Sequence, residues 1–97
     1  MDKVISNGIL QEFKDRMHLG DDEDDNLKRI LSTSNKALLR ICGSYDLNND
    51  EEFKELVFER SRYVYNDALE YFDKNFLNQI NSLGIDKALE EIKLDGD

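Results

Sequence analysis

Four features of this chain carry side chains that could do chemistry. Met17-His-Leu-Gly-Asp-Asp-Glu-Asp-Asp-Asn-Leu27 places the lone histidine, His18, just before five consecutive acids, Asp21 to Asp25. A zinc or di-iron centre needs further nitrogen or sulfur ligands, or paired Glu-x-x-His sequences, and the chain has neither. At the end of a helix, His18 instead interacts favourably with the helix dipole. Asp46-Leu-Asn48-Asn-Asp50 opens like a calcium loop. That template requires Gly at its sixth position and Glu at its twelfth. Glu51 and Val57 stand there, so the stretch reads as a helix-capping loop.

Cys42 is the only cysteine, so no internal disulfide forms and a reducing compartment suits the chain. It falls on an apolar face with no base patterned beside it, as a small core residue does. No nucleophile elbow, phosphate loop or catalytic carboxylate pair is visible. The reading is a non-enzyme with no catalytic residue, metal or cofactor.

The acid run precedes the most regular helical pattern in the chain. Carboxylates in a first turn favour the positive end of the helix dipole, and an Asp supplies the cap. Asp24 or Asp25 is expected to cap, with Asp21 to Asp24 in solvent. As a mimic of DNA the run is too short alone, since such a surface spreads acids over a whole face.

These groups must be positioned by helices. Ile9, Leu10, Phe13 and Met17 recur at helical spacing and predict a helix near 7–18. Leu27, Ile30, Leu31, Ser34, Leu38 and Ile41 predict a second over 25–42, stopped by Gly43. A third opens after Asp50, with Glu51 and Glu52 in its first turn. No Gly or Pro interrupts it before Phe76, so the pattern predicts one helix over 51–76, about 40 Å long. Ile85, Ala88, Leu89 and Ile92 suggest a short amphipathic helix from Asp86, beyond an interruption at Gly84 and before a frayed end at 93–97. The expected architecture is all-α: a small bundle of three main helices, with a helical domain over 1–84 and a C-terminal segment over 85–97.

The third helix carries more apolar surface than a small bundle needs. Phe53, Leu56, Val57, Tyr63, Val64, Ala68 and Tyr71 fall in one arc, which with Leu31 reads as core. Arg60 lies inside that arc, as a snorkelling side chain. Phe58, Tyr65, Leu69, Phe72 and Phe76 fall in a second arc. Its surplus either meets the other helices or docks on another subunit.

The net charge is −9, from 22 acids and 13 bases. Residues 1–50 carry 10 acids and 7 bases, and residues 51–97 carry 12 and 6, so the second half is the more acidic. This excludes a protein whose main work is gripping phosphates. The N-terminus MDKVISNGIL lacks the apolar run of a signal peptide, and no stretch approaches membrane-spanning length. A cytosolic location is expected.

Three stretches together resemble the head–tail connector (adaptor) proteins of tailed bacteriophages. Met17 to Leu27 is similar to that family's short helix, acid-rich turn and helix start. Ile30-Leu31 through Ala37-Leu38-Leu39 to Ile41-Cys42-Gly43 is similar to its first core helix ending in Gly. Phe53-Lys-Glu-Leu-Val-Phe-Glu-Arg-Ser-Arg-Tyr63 through Tyr71 to Phe76 is similar to its long aromatic-bearing helix. The likeness covers roughly residues 5–85, and the tail after Gly84 fits least well.

The resemblance implies an all-helical subunit of a ring, typically a dodecamer, in the virion neck. It would be made in the host cytoplasm and contact a portal protein above and a tail-side completion protein below. DNA would pass through the channel without specific binding. Phe58, Tyr65, Leu69 and Phe72 are the side-to-side candidates. Ile85, Leu89 and Ile92 are the portal-docking candidates, on a segment expected to order when bound. The alternatives are an acidic helical inhibitor or DNA mimic, acting as monomer or dimer, and a helical regulator with one protein partner.

Overall fold

The computed structural model describes residues 5–96, with side chains as far as Ile92. Asp97, the last residue of the expected frayed end, lies outside the described residues. The described chain is all-α. Helix α1 spans Asn7–Met17, α2 Asp24–Cys42, α3 Glu51–Tyr65 and α4 Phe72–Gly96, with a 3₁₀ turn at Leu69–Tyr71 before α4.

Each helix begins and ends for a local reason. The Ser6 hydroxyl accepts from the Ile9 N–H at 3.2 Å and caps α1. The helix ends at His18, within the expected 7–18 span, with His18 left-handed at φ 59°. The His18 N–H donates to Asp15 O at 3.3 Å and the Leu19 N–H to Lys14 O at 2.9 Å, a Schellman ending. Helix α2 starts after Glu23 with no side-chain cap, so neither Asp24 nor Asp25 caps it. Both lie in the first turn, where the dipole favours them.

The expected single helix over 51–76 is corrected here. Helix α3 stops at Tyr65 because Asp67 turns left-handed at φ 58°. The Asp67 N–H donates to Val64 O at 3.1 Å and the Ala68 N–H to Tyr63 O at 2.8 Å, a second Schellman ending. Asp tolerates this conformation better than most residues, so no Gly or Pro was needed. The break swings Phe72 and Phe76 back onto α3. Their rings meet Tyr63 at 5.8 Å each, and each other at 5.1 Å. The two arcs of the supposed long helix thus close on one another.

The separate C-terminal segment is corrected too. Helix α4 kinks at Phe76 and then continues unbroken through Gly84, so residues 85–96 extend a helix already anchored in the core. The core is built around Phe13, Leu27, Leu31, Leu38, Phe53, Val57 and Phe72, all nearly or fully buried. Leu31 belongs to it as expected, whereas Val64 is only half-buried and outside the central cluster. Arg60 is partly buried and donates to Ser34 Oγ at 3.1 Å.

Candidate docking surface

Helix α4 has two faces. Phe72, Ile80 and Leu83 are buried against the bundle. At about 100° per residue, Ile85, Leu89 and Ile92 point the other way. They are 59%, 58% and 65% exposed and form an apolar stripe that the described residues leave uncovered. Leu77 and, near the Gly84 backbone, Ile41 add exposed apolar surface.

The α2–α3 loop sets the direction of this stripe. Tyr45 stacks on Phe53 with ring centroids 5.3 Å apart, and its hydroxyl donates to Leu83 O at 2.6 Å. Burial pushes the Tyr45 phenol up, which keeps it protonated to donate. The Lys87 ammonium lies 4.5 Å from the Tyr45 ring centre and reaches Glu90 at 3.2 Å. Its stem runs over Gly43, where an added Cβ would stand 2.7 Å from Lys87 Cγ. Gly43 has φ 105° and ψ −170°, a region that only glycine enters easily. Cys42 lies beneath, with its Sγ 3.8 Å from Ile80 O. Burial raises its thiol pKa, which leaves it a packing residue rather than a nucleophile.

Of the four residues expected to join neighbouring subunits, two are inside this one. Phe58 is 2% exposed, with Phe13 at 5.5 Å and the Arg16 guanidinium 5.0 Å over its ring. Phe72 is 1% exposed. Tyr65 is half-buried and its hydroxyl donates to Glu23 at 2.6 Å. Leu69 alone remains in water. Phe58 is buried by α1 and Phe72 by the break at Asp67, which folds it back onto α3, so the arc is withdrawn as a continuous docking face.

The acid run has an internal partner that spacing did not reveal. Lys14 of α1 is buried along its stem, and its ammonium meets Asp21 at 2.6 Å and Asp24 at 2.9 Å. These bonds raise the Lys14 pKa and lower that of Asp21. Asp21, Asp22 and Glu23 are exposed, as expected, and Asp24 is half-exposed. Lys54 of α3 plays the same part at the other seam, meeting Glu12 at 3.1 Å and Glu51 at 3.2 Å. Arg16 and Glu55 pair through both guanidinium nitrogens, which holds the Glu55 carboxyl below its ordinary value. A buried lysine on an amphipathic helix beside an acid run is the signal that would have found the first pair.

The Asp46–Asp50 loop is closed by its own groups. The Asp46 N–H donates to Asp50 at 2.6 Å and the Asn48 N–H to Asp46 at 3.0 Å. Among the described residues no cluster of His, Cys, Asp or Glu is arranged to hold a metal ion, and no helix is long and apolar enough to cross a membrane.

A groove runs between α3 and α4. Its volume is about 580 Å³. Glu52, Glu55 and Glu59 wall one side, Asn78, Gln79 and Ser82 the other, with Leu56, Phe76 and Leu83 as apolar lining. Sequence reasoning missed it, because its walls face each other only once α3 has ended at Tyr65. No family model, curated protein or solved structure matches this chain.

Proposed function

We propose that this chain is a non-enzymatic structural subunit of a phage head–tail connector ring, joining a portal protein to tail-side proteins around the DNA channel. One observation carries the docking part of this reading. Ile85, Leu89 and Ile92 project from a helix rigidly tied to the core, and each leaves more than half its surface in water. An isolated subunit gains nothing from such a stripe, whereas a partner that covers it removes apolar area from water at about 25 cal/mol per Å². The ring and its partners come from the resemblance of residues 5–85 to that family.

The test is native mass measurement of the protein alone and with a purified portal protein. A ring alone, or on addition of portal, is the expected result. Replacing Leu89 and Ile92 together by Gln should leave the helix content unchanged and abolish portal binding, since both side chains point away from the core. Portal binding that survives this change removes the docking assignment. A monomer or dimer that ignores portal and competes with DNA for a DNA-binding protein would establish the acidic-inhibitor reading instead.

A further inference from the structure

The charge on α2 is opposite to that of the chain. From Asn26 to Cys42 it carries four bases and no acid, in a chain of net charge −9. Arg29, Lys36 and Arg40 are exposed and lie on the side of α2 opposite its buried Leu31 and Leu38. Among the described residues, none of the three meets a carboxylate within 4.0 Å, whereas Lys14, Arg16, Lys54, Arg62 and Lys87 all do. Arg29 reaches only the Asn26 amide oxygen, at 2.5 Å.

We propose that the basic face of α2 on one copy docks in the glutamate-walled groove between α3 and α4 of the next. This deepens the ring reading and rests on it. The two faces belong to different sides of one molecule, so the contact is heterologous, head to tail, the type that closes into rings.

One spacing matches: Glu52 to Glu59 and Arg29 to Lys36 are each seven residues apart, a rise of about 10 Å on a helix, and Arg40 then lies one turn beyond the paired stretch. Leu56, Phe76 and Leu83 give the groove an apolar floor beneath its charged rim, the layout of a specific interface. Glu52 is exposed and meets no cation within 4.0 Å among the described residues, so its charge is available to a neighbour. Charge of this kind sets orientation and partner choice more than raw affinity.

The experiment uses two charge-reversed full chains. The stripe variant carries Arg29→Glu, Lys36→Glu and Arg40→Glu. The groove variant carries Glu52→Lys and Glu59→Lys; it leaves the Arg16–Glu55 pair intact and gives up the exposed i,i+3 pair of Glu59 with Arg62. Glu and Lys are both good helix formers, so the helices persist. Assembly is read by native mass spectrometry and sedimentation at fixed ionic strength, and folding by circular dichroism.

Each variant alone should assemble at least about tenfold more weakly than the wild type, the size of a lost charged contact. An equal mixture should regain wild-type assembly, because each variant now offers the face that the other needs. If either variant loses helix content, the single changes Lys36→Glu and Glu52→Lys replace it.

Variants that assemble normally alone, or fail to assemble when mixed, overturn the contact while a wild-type ring stands. A wild type that stays monomeric alone and with portal overturns the ring reading itself. A stripe variant that assembles normally but loses affinity for double-stranded DNA assigns the α2 face to nucleic acid and overturns the contact.

Discussion

Replacing Gly43 by alanine would test how the helix bearing the apolar stripe is held. Gly43 has φ 105° and ψ −170°. For a residue with a Cβ this region costs about 1–3 kcal/mol. Alanine also restricts the unfolded chain, which returns about 0.4–1 kcal/mol. The backbone alone should therefore lose between about 0 and 2.6 kcal/mol. The new methyl would stand 2.7 Å from Lys87 Cγ and 3.3 Å from its Cβ, so the lysine stem must move and take its ammonium off the Tyr45 ring. That loss adds to the backbone term. At about 4–8 °C per kcal/mol for a chain of this length, a net loss of about 1–2.5 kcal/mol lowers the midpoint of thermal unfolding by about 4–20 °C. Urea unfolding followed by circular dichroism measures the free energy directly. Repeating it in a Lys87→Ala background removes the clash and should recover part of the loss. A Gly43→Ala protein within about 0.5 kcal/mol of wild type, the scatter of ordinary surface changes, would refute the account.

Three further outcomes are expected. Asp67→Gly should raise stability by up to about 1 kcal/mol in urea unfolding, because it relieves a left-handed residue at the end of α3; a loss would mean that the Asp67 side chain has a partner. Ser61→Ala should raise the urea midpoint by an amount equivalent to about 1 kcal/mol, since the Ser61 hydroxyl is fully buried and meets no partner among the described residues. The folded pKa values of Asp21 and Glu55 lie below their ordinary 3.8 and 4.5, so their stabilisation is complete above those values and is lost as pH falls through the folded ones. Lys14 and Lys54 are raised above 10.5, so theirs is lost only as pH rises through the folded values. The urea midpoint should be flat between about pH 5 and 8, fall on the acid side, and begin to fall again near pH 9, where the Cys42 thiol ionises in the unfolded chain before it does in the folded one. Glu55→Gln should shallow that fall, and an unchanged slope would exclude the Arg16 pair as a contributor.

Helix α2 was legible because it repeats its apolar residues every three or four positions over five turns' length and ends at a glycine. Leu27, Leu31, Leu38 and Cys42 are buried as that period requires. The apolar face of Ile85, Leu89 and Ile92 was legible for the same reason. The end of α3 was not. Asn66 and Asp67 carry no strong stop signal, and the αL turn they make is selected by burial of Phe72 and Phe76, a long-range gain that no local window contains. Misreading that one corner misplaced Phe72 and hid the groove, whereas Phe58 was misplaced because its cover comes from Phe13 and Arg16 of α1. Lys14 and Lys54 were missed for a related reason. Their acids lie on neighbouring elements, whose relative placement periodicity does not specify.

The grip of Gly43, Tyr45 and Lys87 on α4 has a mechanical consequence. Helix α4 is a lever of about 37 Å, and Leu89 and Ile92 lie about 3 and 8 Å along it beyond the contact that Lys87 makes with Tyr45. A load applied at Leu89 or Ile92 therefore acts with a moment about Lys87. The first member to bear it is the Gly43–Asp50 loop, through Tyr45, and only then Phe53 and the rest of the bundle. Stress from a docked partner is thereby delivered to a surface loop before it reaches the hydrophobic centre. That loop is where the chain would yield first under such a load.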